Sequence, residues 1–371
     1  MTDSIKNAQE IGQSIWYDNM RRGLIDSGEL KSLIDAGITG LTSNPTIFQK
    51  AIAESTDYDE AFHKLVIEGK DVGAIYETLT VEDIQSAADL LKVVYDESKG
   101  ADGYASLEVS PHLSNDTTGT IKEGRRLFKL LNRDNVMIKV PATPAGIPAV
   151  RSLISEGINV NVTLTFSLAA YAKVRQAYIS GLEDLLASGG DISKVSSVAS
   201  FFVSRVDTAV DSRLGVGHDD LKGSAAIANA KLAYRDFGKD FGSAHFEKLE
   251  SKGARVQRPL WASTSTKNPE YSDVMYPEAL MGSNTVDTMP EPTLLAFIDH
   301  GNVAETLTKE VNKAERLFID LEKAGIDMEQ ITDGLLIDGV KLFADSYDDL
   351  LTDITKKRTE LLKEATPVGS G

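Results

Sequence analysis

The chain has 371 residues, 39 Lys and Arg against 56 Asp and Glu, and a formal net charge of −17. Its 42% hydrophobic and 26% charged residues are a globular composition, not a disordered or fibrous one. The acidic balance argues against nucleic acid or an anionic membrane surface as a main partner, and no run approaches the roughly 18 apolar residues of a membrane span.

There is no cysteine, which removes disulfides, thiolate metal sites and a Cys nucleophile together. The histidines (His63, His112, His218, His245 and His300) are scattered, so no metal site is expected. The N-terminus, Met1 to Asp18, has no apolar signal segment, and a cytoplasmic protein is the expectation.

In chain order, strands are predicted near Ser14–Asp18, Gly40–Asn44, Tyr104–Val109, Val136–Val140, Asn159–Phe166, Val195–Val203, Pro259–Ser263 and Thr285–Met289. Helical patterns such as Lys122–Leu131 and Leu168–Leu186 lie between them. Strands alternating with helices give a parallel sheet, and eight such repeats suggest an α/β fold closed as a (β/α)8 TIM barrel. No GxGxxG follows the first strand, as an open dinucleotide-binding sheet would show.

A bare barrel takes about 250 residues, so the surplus is expected in insertions. Extra helices are predicted over Tyr58–Glu68 and Val81–Tyr95, within Leu214–Lys252, and from about Asn302 onwards. In the last stretch Leu336, Val340, Phe343, Tyr347, Leu350, Ile354 and Leu361 recur at three- and four-residue steps, the stripe of an amphipathic helix laid on the body. Residues 1–366 read as a single elaborated domain, and Pro367–Gly371 as a flexible tail.

Polar residues stand where a barrel strand is normally apolar. In Asn159–Phe166 the even positions are apolar, whereas Asn159, Asn161, Thr163 and Thr165 alternate with them. Side chains alternate faces along a strand, so the polar set is expected to face the barrel axis. Asp18, Asn44, Glu108, Lys139, Ser200 and Ser263 add one polar group to each of six further strands, mostly near the C-terminal end where barrel sites are built.

Lys139, in the apolar run VMIKVPA, is the most informative. A strand lysine is often structural, but burial favours the neutral amine that attacks a carbonyl. Asp18 and Glu108 are its candidate acid–base partners. Arg205 after the sixth strand and Lys267 after the seventh, beside the hydroxyls of Ser263 to Thr266, suggest a phosphate site.

These residues resemble a known family. SNPTIF (Ser43–Phe48), SLEVSPHLS (Ser106–Ser114), MIKVPATPAGI (Met137–Ile147), NVNVTLTFS (Asn159–Ser167) and SFFVSRVD (Ser200–Asp207) are similar to transaldolase. The length and WASTSTKNPEYSDVMY (Trp261–Tyr276) resemble its longer, actinobacterial-type bacterial branch. The resemblance runs from Asp18 to the C-terminal helices.

It implies a barrel of class I aldolase type that transfers a dihydroxyacetone unit between sugar phosphates in the non-oxidative pentose phosphate pathway, without metal or cofactor. Lys139 would form the Schiff base, Asp18 would be the general acid/base, and Glu108 would act with a water near Thr163. Asn44, Asn161 and Ser200 would bind the donor hydroxyls beside Phe202, and Arg205, Lys267 and Ser263 the phosphate. Shorter members carry an arginine in an ASFR-like segment where this chain has STSTK, and the role passes to Lys267.

The expected partners are small sugar phosphates, with no nucleic acid and no membrane; monomer and homodimer are both compatible with the sequence. The rival readings are a simple aldolase cleaving fructose 6-phosphate, a sugar-phosphate isomerase and a non-enzymatic binding protein on the same fold.

Overall fold

The computed structural model describes residues 4–365; the expected tail Pro367–Gly371 lies outside the described residues. Eight parallel strands pair in chain order and close into a barrel: β1 (Gln13–Tyr17), β2 (Gly40–Leu41), β3 (Tyr104–Glu108), β4 (Val136–Pro141), β5 (Val160–Thr165), β6 (Ser197–Phe202), β7 (Arg258–Ala262) and β8 (Thr285–Met289). Helices follow the strands and cover the barrel, so the expected (β/α)8 TIM barrel is what forms.

Side-chain alternation builds the interior in tiers. At the N-terminal end, Arg258 on β7 donates to Ser14 Oγ at 2.7 Å and pairs with Asp102 at 3.4 Å, while Trp16 Nε1 donates to Asp102 at 2.8 Å. Above them Ser200 Oγ donates to Asn161 Oδ1 at 2.7 Å, and Asn161 Nδ2 to Ser106 Oγ at 3.2 Å, linking β6, β5 and β3 across the barrel. Polar groups in a closed interior must satisfy one another, and these do.

Three expectations change. β2 has two residues instead of the predicted five: Asn44 leaves the sheet to cap the helix Pro45–Glu54, its side chain accepting from Ile47 N at 3.0 Å. A Cβ on Gly40 would lie 2.3 Å from the Trp16 ring, so only glycine lets β2 lie against β1.

On β5 the alternation fails at its end. Leu164 takes a left-handed φ of +56°, and pairing with β6 shifts between Val162 and Thr165. The bulge turns Leu164 toward Gly339 of the C-terminal helix and sets Thr165 opposite Phe201, which packs on Tyr171 of the outer helix Leu168–Ala187. Thr165 therefore leaves the axial set predicted for it, whereas Thr163 stays in it. Asn159 precedes the strand and staples its neighbours, donating to Asp134 and Val136 and accepting from Ser196 N.

Several helices start earlier or run further than their patterns suggested. Asp71 caps Val72–Glu97, and Asp116 caps Thr117–Leu131, each accepting a backbone N–H. The long gap before β7 folds as Ser204–Asp211, Ala225–Phe241 and Ala244–Glu250.

The C-terminal stripe lies on a 38-residue helix, Met328–Ala365, with Phe343, Leu350 and Ile354 buried. It packs on Pro45–Glu54 and Val72–Glu97 through Thr46 with Ser346 (2.8 Å), Gln49 with Asp353 (3.3 Å) and the edge-on rings of Tyr76 and Tyr347. Its stripe is spent on the body of the protein itself. Leu350→Ala removes a fully buried side chain there and should cost about 2–5 kcal/mol, read from the urea midpoint. A loss under about 0.5 kcal/mol would mean the helix is not part of the cooperative core.

Candidate active site

Lys139 and Glu108 are register partners on β4 and β3, which puts both side chains on the inner face. Both are 6% exposed, and Nζ lies 3.5 Å from Glu108 Oε2. Nζ also donates to the Ser43 carbonyl at 2.8 Å, and Ser43 is fixed in turn by its hydroxyl on the Ser106 carbonyl, also at 2.8 Å. Glu108 Oε2 has no hydrogen-bond partner beyond the lysine. Burial pushes the Glu108 carboxyl above the usual carboxylate range, against the pull of the Lys139 cation.

Asp18 follows β1 by one residue, its N–H bonded to the Met289 carbonyl at 2.9 Å. Thr42 donates to Asp18 Oδ1 at 2.6 Å, and the Thr42 and Thr288 oxygens are 2.7 Å apart. Since the Thr42 proton goes to Asp18, the second bond takes its proton from Thr288. Burial raises the Asp18 carboxyl, and the Thr42 hydrogen bond and the Lys139 cation oppose the rise.

Lys139, Asp18, Thr42 and Thr288 line a cavity of about 340 Å³ at the C-terminal mouth, together with Asn44, Thr163, Ser200, Phe202, Arg205, Ser263 and Lys267. Asn161 lies just beneath, held to Ser200. Thr163 Oγ1 is buried without a partner. Asn44 spends its carbonyl oxygen on the helix cap, which leaves its NH2 to donate into the cavity.

Arg205 sits in the first turn of Ser204–Asp211, its guanidinium 5.4 Å from the Phe202 ring centre. Asp207 anchors that helix by accepting from Ala226 N at 2.8 Å and the Tyr276 hydroxyl at 2.9 Å. Ser263, at φ +57°, turns the chain after β7 and bonds Ser204 through both backbone (3.0 Å) and hydroxyl (2.9 Å). Thr264 Oγ1 donates to the buried Asp287 on β8 at 2.9 Å, pinning the loop that brings Lys267 to the rim. Burial lowers the basicity of Arg205 and Lys267, with Arg205 adding to the effect on Lys267, and neither makes an ion pair among the described residues. The cavity wall carries Lys50, Lys139, Arg205 and Lys267 against Asp18 alone, a cationic mouth on an acidic protein.

All the predicted site residues thus come to one end of the barrel, with Glu108 at the back of the lysine instead of on the cavity wall. Sequence reasoning missed Thr42, Thr288, Lys50 and the pair Leu342 and Phe343 of the C-terminal helix, which wall the same cavity. TSN beside the helix start carried a signal for Thr42; the stripe put Phe343 against the body, but nothing local tied it or Leu342 to a site whose other walls lie far earlier in the chain. Among the described residues no group of three or more His, Cys, Asp or Glu side chains is placed to hold a metal ion.

The chain matches the family described as transaldolase/fructose-6-phosphate aldolase over residues 15–354. A protein of Nostoc sp. named Transaldolase 2 is 47% identical over 365 residues, covering 94% of this chain and 96% of its own. A Trichodesmium erythraeum protein named Transaldolase is 44% identical over 383 residues, covering 99% of this chain and all of its own. The actinobacterial Transaldolase of Mycolicibacterium smegmatis is 45% identical over 359 residues, covering 95% and 96%. Matches of this extent run through every strand of the barrel, and the chain belongs to the transaldolase/fructose-6-phosphate aldolase family of enzymes.

Proposed function

We propose that the protein is a transaldolase that carries a dihydroxyacetone unit between sugar phosphates as a Schiff base on Lys139. The observation that carries this is the buried Lys139–Glu108 pair below a mouth at whose rim Arg205 and Lys267 make no ion pair among the described residues. Glu108 is close enough to take the ammonium proton, which frees the amine to attack the C2 carbonyl of the ketose. It returns that proton to the departing hydroxyl as the imine forms.

Asp18 then accepts the C4 hydroxyl proton, the C3–C4 bond breaks, and its electrons enter the iminium as an enamine. The phosphorylated aldehyde leaves, and a second aldehyde takes its place. Asn44, Asn161 and Ser200 hold the donor hydroxyls, Thr163 offers a free hydroxyl to a water, and Arg205, Lys267 and Ser263 take the phosphate. Phe202 has no hydroxyl with which to protonate the enamine and keeps that wall dry, which favours transfer over release of free dihydroxyacetone. Such chemistry belongs to the central carbohydrate metabolism of the cytoplasm, in the interconversion of pentose and hexose phosphates.

Borohydride with fructose 6-phosphate should inactivate the enzyme and add a three-carbon unit to the Lys139 peptide. Lys139→Arg should fold and be inactive, since arginine supplies no neutral amine near pH 7. Inactivation with an unmodified Lys139 peptide would refute the Schiff base here. With erythrose 4-phosphate present, turnover should give sedoheptulose 7-phosphate and glyceraldehyde 3-phosphate. Free dihydroxyacetone formed as fast would assign the aldolase activity instead.

Arg205→Ala and Lys267→Ala should each weaken phosphorylated substrates by about 1.5–3 kcal/mol, roughly ten- to hundredfold in kcat/KM. Non-phosphorylated ketoses should lose much less. Equal losses for both would make the two residues structural.

Thr42→Val deletes the hydrogen bond that stabilises the Asp18 carboxylate. Losing it raises the Asp18 pKa further, so the acid limb of kcat/KM should move to higher pH. An unmoved limb, with only the plateau lowered, would take Asp18 out of the titration that controls the rate.

A further inference from the structure

Lys139 and Glu108 touch each other but line different cavities. Lys139 faces the mouth already described. Glu108 lines a second cavity of about 420 Å³, walled by the helices Val72–Glu97 and Thr117–Leu131, by the segment after β3, and by Tyr347. Asn44 lies on the wall of both, and the C-terminal helix divides them, with Phe343 in the first and Tyr347 one turn later in the second.

We propose that this second cavity is the water and proton route to Glu108, separate from the opening that admits sugar phosphates. The inference rests on the Schiff-base reading above. Imine formation from a ketose releases one water, and the return to ketone consumes one. Water adds to C2 of the iminium as its proton passes to Glu108. Glu108 returns that proton to nitrogen; the C–N bond then breaks with its electrons on Nζ, while the carbinol proton goes back to the carboxylate and on to the amine. The sum is iminium plus water giving ketone plus the Lys139 ammonium.

A sugar phosphate seated on Lys139, with its phosphate across Arg205 and Lys267 and with Leu342 and Phe343 beside it, stands in the path of water through the mouth. The second cavity reaches the same carboxyl from behind. Its volume holds several waters at about 30 Å³ each. Its wall supplies partners for them: Glu108 is part of that wall, and Thr80, Ser110 and Tyr76 add hydroxyls. The cavity meets solvent where Asp71 and Gly73 are exposed, beside Arg126, which is held between Glu77 and Glu123. Those paired charges keep the outer end polar, suited to water and closed to a dianionic sugar.

The test plugs this cavity from two walls, with Ala74→Leu on the helix Val72–Glu97 and Ser110→Leu after β3. Ala74→Ser keeps the passage open. Loss of heavy oxygen from C2-labelled fructose 6-phosphate reports imine formation and hydrolysis. Binding of glucitol 6-phosphate, which has no carbonyl, reports the substrate mouth. In folded variants with wild-type melting, the leucines should slow enzyme-catalysed exchange by about tenfold or more, leave glucitol 6-phosphate binding unchanged, and spare Ala74→Ser. Unchanged exchange in either plugged protein would mean that water enters with the substrate, and the proposal falls. Weaker glucitol 6-phosphate binding in step with exchange would make the cavity part of the substrate site and overturn it too. If the unmodified enzyme catalyses no exchange and gives no borohydride adduct, the Schiff-base reading itself fails.

Discussion

A lysine and a glutamate held 3.5 Å apart in the interior of a barrel set the terms for everything around them. Removing two charges from water costs several kcal/mol per ion, and their attraction offsets this only when the remaining donors and acceptors are also met. Lys139 gains the Ser43 carbonyl, and Ser43 is fixed by Ser106, which in turn takes Asn161 and, through it, Ser200. The polar tier across β3, β5 and β6 thus carries the pair. Of the pair, Glu108 is the one left short of partners, and an under-satisfied buried carboxyl is one that gains from meeting a proton or a water.

The electrostatics follow the same logic at longer range. A net charge of −17 repels phosphate at a distance, so the cations of the mouth are gathered in one place, and Arg205 and Lys267 make no ion pair among the described residues. Arg205 is held by the helix that Asp207 anchors, and Lys267 by a loop pinned through Thr264 to Asp287. Asp207 and Asp287 serve here as anchors, not as ion-pair partners of these cations. That separation leaves the guanidinium and the ammonium available to an incoming anion.

The C-terminal helix is more than a cover. Its stripe of Phe343, Leu350 and Ile354 closes the core, and the same helix divides the two cavities that meet at Asn44. The β5 bulge at Leu164 belongs to this arrangement, since it aims Leu164 at Gly339 and draws the helix close to the barrel.

Local patterns in the chain were enough for the architecture. Strands alternating with helices give a parallel barrel, a polar step in NVNVTLTF marks an inner face, and a lysine in VMIKVPA stands out because its neighbours are apolar. These are short-range signals, and the structure keeps nearly all of them, along with the amphipathic C-terminal stripe. The tertiary structure alone decided what depends on register and on contacts distant in sequence. That Glu108 lies beside Lys139 follows from how β3 pairs with β4. The Thr42–Thr288 bond spans 246 residues, and Leu342 and Phe343 reach a mouth whose other walls begin at Asp18. Thr165 left the inner face because a bulge, not a sequence period, decides where a strand's alternation ends. Cavities are made in the same way: each wall is ordinary by itself, and only the packing of distant helices against β3 and β4 puts Glu108 on one side and Lys139 on the other.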